Sequence, residues 1–316
     1  MMDLTRQRIL VTGGHGFLGS HVVRRLAHAG CRDVTVPTRA EADLRDPLAV
    51  ERLLHACRPE VVIHCAAVVG GIGGNRERPG EFCYDNLVMG AHLLEYSRRI
   101  GVGKFVGLGT ICAYPRDTPV PFREEALWDG YPEPTNAPYG LAKKMLLVQG
   151  QAYRAQYGFN AIHLLPVNLY GPGDDFDTAT SHVIPALIRR CVEGVAAGVR
   201  EITVWGDGSA TREFLFVEDA ADAIVRATAH YDEPEPVNIG SGTEIAIRDL
   251  AHLIAEATGF TGTLRWDETQ PAGQPRRRLD TSRARQLFGF EATTAFTDGL
   301  ARTVAWYRAQ GPVAHP

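Results

Sequence analysis

Gly13-Gly14-His15-Gly16-Phe17-Leu18-Gly19 directly follows the apolar run Ile9-Leu10-Val11-Thr12 and opens onto residues 17–29, where Leu, Val and Ala recur three and four apart. The first run reads as a strand and the second as the packed face of a helix, so the glycines occupy a strand–turn–helix junction. G-x-x-G-x-x-G spacing at such a junction lets the backbone turn tightly and approach a pyrophosphate, which rests on the helix's free N–H groups and positive end. A dinucleotide site touched by Gly13, Gly16, Phe17, Leu18 and Gly19 is the expectation.

Outward from this turn, short β-branched runs alternate with amphipathic stretches. Residues 34–36, 61–66, 105–109 and 162–166 read as strands, and 47–57, 84–100 and 139–156 as helices. This alternation predicts βαβ units on a parallel sheet, an α/β fold of the Rossmann type, doubly wound. After about residue 170 the texture turns to Gly- and Pro-punctuated pieces such as Tyr170-Gly171-Pro172-Gly173 and Pro271-Ala272-Gly273-Gln274-Pro275. The expected division is a dinucleotide-binding domain over 1–170, with returning elements near 214–240, and a smaller interleaved substrate-binding domain over 171–316. Gly311 to Pro316 reads as a frayed tail.

The 316 residues are 45% hydrophobic and 22% charged with a formal charge of −4, the composition of an ordinary soluble protein with no basic surplus for nucleic acid. No apolar run reaches the roughly 18 residues a membrane span needs, and the N-terminus lacks signal-peptide features. Six cysteines (31, 57, 65, 83, 112 and 191) form no CxxC pair, which fits reduced thiols in a cytoplasmic protein and no metal site. Five of them read as core filler, and Cys112 stands apart because it follows a strand end.

Two further patterns carry chemistry. The second strand ends Pro37-Thr38-Arg39, without the carboxylate of NAD-preferring sites; Arg39 can pair with a 2′-phosphate, which points to NADP(H) and leaves NAD(H) open. Asp43-Leu44 is placed to touch the adenine. Tyr139 and Lys143, in Tyr139-Gly140-Leu141-Ala142-Lys143, share one helix face. A nearby ammonium favours the phenolate and would lower the tyrosine pKa for proton exchange with a substrate oxygen. Leu108-Gly109-Thr110, about thirty residues earlier, offers a hydroxyl to the same oxygen. With the glycine turn, these features resemble the extended short-chain dehydrogenase/reductases.

A closer resemblance lies in Ala66-Ala67-Val68-Val69-Gly70-Gly71-Ile72, Cys112-Ala113-Tyr114-Pro115, Pro134-Thr135-Asn136-Ala137-Pro138-Tyr139 and Asn168-Leu169-Tyr170-Gly171-Pro172. It continues in Ser181-His182-Val183-Ile184-Pro185-Ala186-Leu187 and in Val204-Trp205-Gly206 followed by Arg212-Glu213-Phe214-Leu215. Along nearly the whole chain these blocks resemble the GDP-L-fucose synthase family. The resemblance implies that Thr110, Tyr139 and Lys143 reduce a 4-keto sugar with NADPH, threonine replacing the family's serine. It also implies that Cys112 and His182 invert the flanking carbons. The same resemblance places Ala66, Ala67 and Pro166 with the cofactor, and Asn168, Val183, Leu187, Arg190, Val204, Trp205, Arg212 and Arg277 with the GDP-sugar. Independently of it, carbons beside a ketone have acidified C–H bonds, and a thiol and an imidazole can take and return a proton near neutrality. Val68 stands where the family has lysine, His15 where it often has arginine, and Arg277 where lysine is usual.

Two other readings use the same residues. One is a GDP-sugar 3,5-epimerase with tightly bound NAD and no net redox change. The other is a catalytically silent dinucleotide-binding regulator, which would have no use for a proton donor at Tyr139. A homodimer through the helices at 84–100 and 139–156 is expected from the family.

Overall fold

The computed structural model describes residues 1–177, 180–269 and 274–310, apart from the side chain of Ile72. Pro271-Ala272-Gly273 and the tail Gly311–Pro316, read above from the sequence, lie outside the described residues. In chain order the first half comprises β1 (Ile9–Thr12), α1 (Phe17–His28), β2 (Val34–Thr35), α2 (Pro47–Cys57), β3 (Val61–His64), α3 (Ile72–Glu77), α4 (Pro79–Arg99), β4 (Lys104–Leu108), α5 (Ala137–Tyr157) and β5 (Ala161–Pro166). There follow β6 (Asn168–Tyr170), α6 (Val183–Ala197), β7 (Glu201–Trp205), β8 (Thr211–Phe216), α7 (Val217–His230), β9 (Val237–Ile239), β10 (Glu244–Ala246), α8 (Ile247–Thr258), β11 (Thr263–Asp267), β12 (Arg276–Arg277), α9 (Ser282–Phe288) and α10 (Phe296–Ala309).

The local chemistry sets these boundaries. Asp46 accepts a hydrogen bond from the Leu48 amide at 2.9 Å and Pro47 supplies a preset first-turn φ, so α2 starts there. Proline does the same for α4, which begins at Pro79, five residues ahead of its expected start. Gly158, in the left-handed conformation at φ 68°, ends α5.

All six strands of the main sheet run parallel in the order β2-β1-β3-β4-β5-β9. Their apolar runs are continuous because both faces are covered. Ile9, Val11, Val61, Ile63, Val106, Leu108, Ile162 and Leu164 face α1, α7 and α9, while Leu10, Val62, Phe105 and Ala161 face α2, α4 and α5. Each Val, Ile or Leu so buried contributes about 1.5–3 kcal/mol. The strand order reverses beside β1, with β2 on one side and β3 on the other. A crevice for ligands belongs at the carboxyl ends of strands around such a switch.

A second core collects Tyr170, Phe176, Ile188, Val204, Phe214, Leu250, Ile254 and Tyr307 from α6, α8, α10 and two small sheets. β6 follows β5 after one residue and pairs in parallel with β8, so the chain passes from the large sheet to the smaller layer within a few residues. It returns through α7 and β9. That return begins at Val217 and not at 214, because Phe214 to Phe216 pair with β6 in the smaller layer.

Glu213 ties the smaller layer together. Its fully buried carboxylate accepts the Leu279 amide at 2.6 Å and the Gly242 amide at 2.7 Å, and burial raises its pKa. Glu213→Ala leaves both amides unsatisfied, which is expected to cost about 3 kcal/mol. The check is a lowered midpoint of chemical unfolding; an unmoved midpoint would refute the role.

Candidate active site

One cavity of about 820 Å³ runs across the carboxyl ends of β1, β3, β4 and β5 and out to α6, β7, β8 and β12. Every residue singled out from the sequence for catalysis, cofactor or substrate lines it: Gly13 to Leu44 at one end, Thr110 to Lys143 in the middle, and His182 to Arg277 at the other.

At the first end, Gly13 has a φ of 72°, and a Cβ there would come within 2.5 Å of the Ala66 backbone nitrogen. The turn and the segment after β3 therefore meet backbone to backbone. Gly16 gives α1 no side-chain cap, leaving the first-turn amides of Phe17, Leu18 and Gly19 as donors for an anion. This cradle, closed to any side chain at Gly13, fits a dinucleotide pyrophosphate. Arg39 lies at the mouth, largely exposed, with Nε 3.7 Å from Asp43. Asp43 is bound more closely by Arg45 at 2.7 Å, and those hydrogen bonds hold its carboxyl down at about 2. Arg45 also reaches Asp85 at 3.3 Å. His15 contacts the Val36 carbonyl at 3.2 Å.

In the middle, α5 packs onto the short turn Ile111–Ala113 so closely that a Cβ at Gly140 would lie 2.4 Å from the Cys112 carbonyl oxygen. That approach brings Tyr139 beside Thr110 and Cys112. The Thr110 hydroxyl accepts the Cys112 amide at 3.1 Å and lies close enough to the Tyr139 phenol to act on its pKa. Tyr139 departs from the sequence expectation: burial, then the neighbouring Cys112, pushes the phenol pKa up, and only the Thr110 hydroxyl opposes this. Burial also pushes the Lys143 ammonium down to about 8. Desolvation outweighs charge stabilisation where both groups are enclosed. A phenol that keeps its proton can serve as an acid toward a substrate oxygen.

His182 precedes α6 and lines the cavity as an exposed residue, where desolvation lowers its pKa against the opposing charge of Asp175. Its segment is fixed by Thr180, whose hydroxyl bonds Asp175 at 2.5 Å and whose carbonyl accepts the Gly71 amide at 2.8 Å.

At the far end, Arg190 donates to the Thr203 carbonyl at 2.9 Å, Trp205 is half exposed at the rim, and Asn168 donates to the Glu213 carbonyl at 3.1 Å. Parallel pairing of β12 with β8 sets Arg277 beside Arg212. Burial, then the Arg277 charge, lowers the Arg212 guanidinium to about 10.

Sequence reasoning missed Asp174, a cavity-lining carboxyl that burial raises to about 7, and Gln274, which bonds Arg277. Neither sits in a motif. All six cysteines are free; Cys31 and Cys191 are buried as core filler, but Cys57, Cys65 and Cys83 are only partly so. Val68 lines the cavity, its backbone clamped by Asn86 at 3.1 and 2.8 Å. Among the described residues no group of three or more His, Cys, Asp or Glu could hold a metal, and no helix is long and apolar enough to cross a membrane.

A model of the NAD dependent epimerase/dehydratase family matches residues 9–240. The chain is 44% identical to the GDP-L-fucose synthase of Sinorhizobium fredii, covering 96% of each protein. It is 42% identical to the probable GDP-L-fucose synthase 1 of Oryza sativa subsp. japonica, covering 95% of this chain and 92% of that one. A solved GDP-L-fucose synthetase from Naegleria fowleri bound to NADP superposes with a TM-score of 0.88 at 29% identity, over 96% of this chain and 94% of that one. The glycine turn, the Thr110/Tyr139/Lys143 group and these near-complete likenesses coincide in one cavity: the chain belongs to the NAD dependent epimerase/dehydratase family and, within it, to the GDP-L-fucose synthases.

Proposed function

We propose that the chain is an NADPH-dependent enzyme that epimerises a GDP-4-keto-6-deoxyhexose at C3 and C5 and reduces it at C4. The observation that carries this reading is one cavity lined by both an acid–base pair, Cys112 and His182, and a reductive group, Thr110, Tyr139 and Lys143. NADPH, when bound, supplies the hydride for C4. The residues from Gly13 to Gly19, with Ala66, Ala67 and Pro166, would hold it, and Arg39 would take the 2′-phosphate. The NADP-bound relative supports a phosphorylated dinucleotide over tightly held NAD, and so supports net reduction over epimerisation alone.

In this reading Cys112 and His182 exchange protons at the carbons beside the ketone on opposite faces of the sugar. Tyr139 then gives its proton to the C4 oxygen as that oxygen gains charge, with Thr110 hydrogen-bonded alongside and Lys143 behind. Arg190, Arg212 and Arg277 supply cations for the diphosphate, Asn168 a polar contact, Trp205 a flat face for the base, and Val183, Leu187 and Val204 apolar walls. The division at residues 170 and 171 belongs to the same reading, the first part holding the dinucleotide and the reacting side chains other than His182, and the second His182 and most of the GDP-sugar contacts. Purified protein given GDP-4-keto-6-deoxymannose and NADPH tests it: fading of the NADPH band with formation of a GDP-6-deoxyhexose is expected, and an unchanged band sinks it.

Exposed Tyr84 and Leu87 on α4 and Met145 and Val148 on α5 give the proposed homodimer an apolar face. Sedimentation is expected to report twice the chain mass for the parent and the single-chain mass for Leu87→Arg/Met145→Arg. A parent of single-chain mass would rule the dimer out.

A further inference from the structure

We propose that Gln274 is a positioning residue that acts through Arg277, fixing the guanidinium against the Cys112 sulfur so that the thiol can exchange protons with the sugar. The inference rests on the function proposed above and assigns a task to a residue that no motif marks.

Arg277 is buried, at 8% exposure, and its backbone register neighbour on β8 is a second arginine, Arg212. Two cations held together out of water repel each other, and without a fixed partner a long guanidinium would turn away. Gln274 prevents this. Its Oε1 accepts from Arg277 Nε at 2.5 Å, and its Nε2 donates to the Arg116 carbonyl at 2.5 Å. The Arg116 carbonyl can only accept, so it dictates which way the carboxamide faces and leaves the oxygen for the guanidinium. Gln274 is itself buried, at 6% exposure, and so has little freedom to release either bond.

The outcome is an Arg277 Nη1 that lies 3.8 Å from Cys112 Sγ. One side chain thus bridges the segment after β4, which carries Cys112 and Arg116, to β12, which carries Arg277. In each inversion the C–H bond beside the ketone breaks, its electron pair enters an enolate with charge on the C4 oxygen, and one group of the pair takes the proton. The other group then gives a proton to the same carbon from the opposite face. Whichever part Cys112 plays, its sulfur is without a proton at one stage, and a fixed N–H donor is then worth most.

The test follows Cys112 alkylation by iodoacetamide at pH 7.5 without substrate, with the Cys112 peptide quantified by mass spectrometry. Gln274→Ala is expected to slow alkylation about tenfold, the weight of one hydrogen bond to a charged group. Gln274→Glu, which keeps the acceptor but turns a second oxygen on the Arg116 carbonyl and neutralises Arg277, is expected to slow it as well. In an Arg277→Ala background Gln274→Ala should change nothing, because its effect passes through that arginine. A Gln274→Ala rate within about twofold of the parent, or equal slowing in both backgrounds, overturns the proposal. This readout needs no sugar, so a failure of the enzyme to turn over the GDP-sugar would refute the function above and leave the positioning result standing.

Discussion

Tyr139→Phe is expected to slow NADPH oxidation with GDP-4-keto-6-deoxymannose by about 10²–10⁴-fold, the usual weight of a positioned general acid. Tyr139 is buried at the start of α5, so phenylalanine keeps the ring and its packing and removes only the hydroxyl that faces Thr110. Proton exchange at the sugar carbons should continue, since Cys112 and His182 are untouched. Deuterium uptake from heavy water without NADPH measures that half separately. A variant that oxidised NADPH at the parent rate would move the proton donor elsewhere. The acid role also fixes a pH dependence. Burial raises the Tyr139 pKa, so the phenol keeps its proton throughout the neutral range, while Lys143 is lowered to about 8. Both groups are protonated below that value, and the Lys143 charge is lost as pH rises through it. Single-turnover reduction of ketone already epimerised should therefore be fastest below pH about 8 and fall above it; a rate climbing from pH 7 to 9 would contradict the assignment.

Which parts of this molecule were legible from its residues follows from how local each signal is. The glycine turn was readable because strand, turn and helix lie within about twenty consecutive residues and each obeys its own periodicity. The helix at 47–57 and the strand over β5 were legible for the same reason. The short β2 was harder: its two residues, Val34 and Thr35, are only partly buried at the sheet edge, so burial gives its end little definition. The direction of the Tyr139 shift was misread because the Tyr–Lys spacing is local whereas the enclosure of both groups is tertiary. The link from Cys112 through Arg277 to Gln274 and Arg116 was invisible for a related reason. It depends on β12 pairing with β8 across more than sixty residues of chain, and nothing in Gln274-Pro275-Arg276-Arg277 announces that register. Family blocks brought candidate residues together; the geometry between them had to come from the fold.

Cys112→Ser is expected to separate the two halves of the proposed reaction. Deuterium uptake at the carbons beside the ketone should fall by about 10²–10⁴-fold, while NADPH is still oxidised and the product is a 6-deoxyhexose that keeps its original configuration at those carbons. Serine has nearly the shape of cysteine and leaves Thr110, Tyr139 and the Arg277 guanidinium in place. Its hydroxyl is far too weak an acid to take and return a proton near neutrality. The tight packing of Gly140 on the Cys112 backbone also argues that the turn keeps its form, because that contact is made by main-chain atoms and not by the sulfur. His182→Asn should give the same uncoupling from the other side, and the two changes together should be hardly worse than either alone, since inversion needs both groups. Product stereochemistry by NMR decides the matter. A Cys112→Ser enzyme that still inverted the sugar would leave the thiol as a packing residue and transfer the proton exchange to another cavity group, with the buried Asp174 carboxyl, raised to about 7, the next to test.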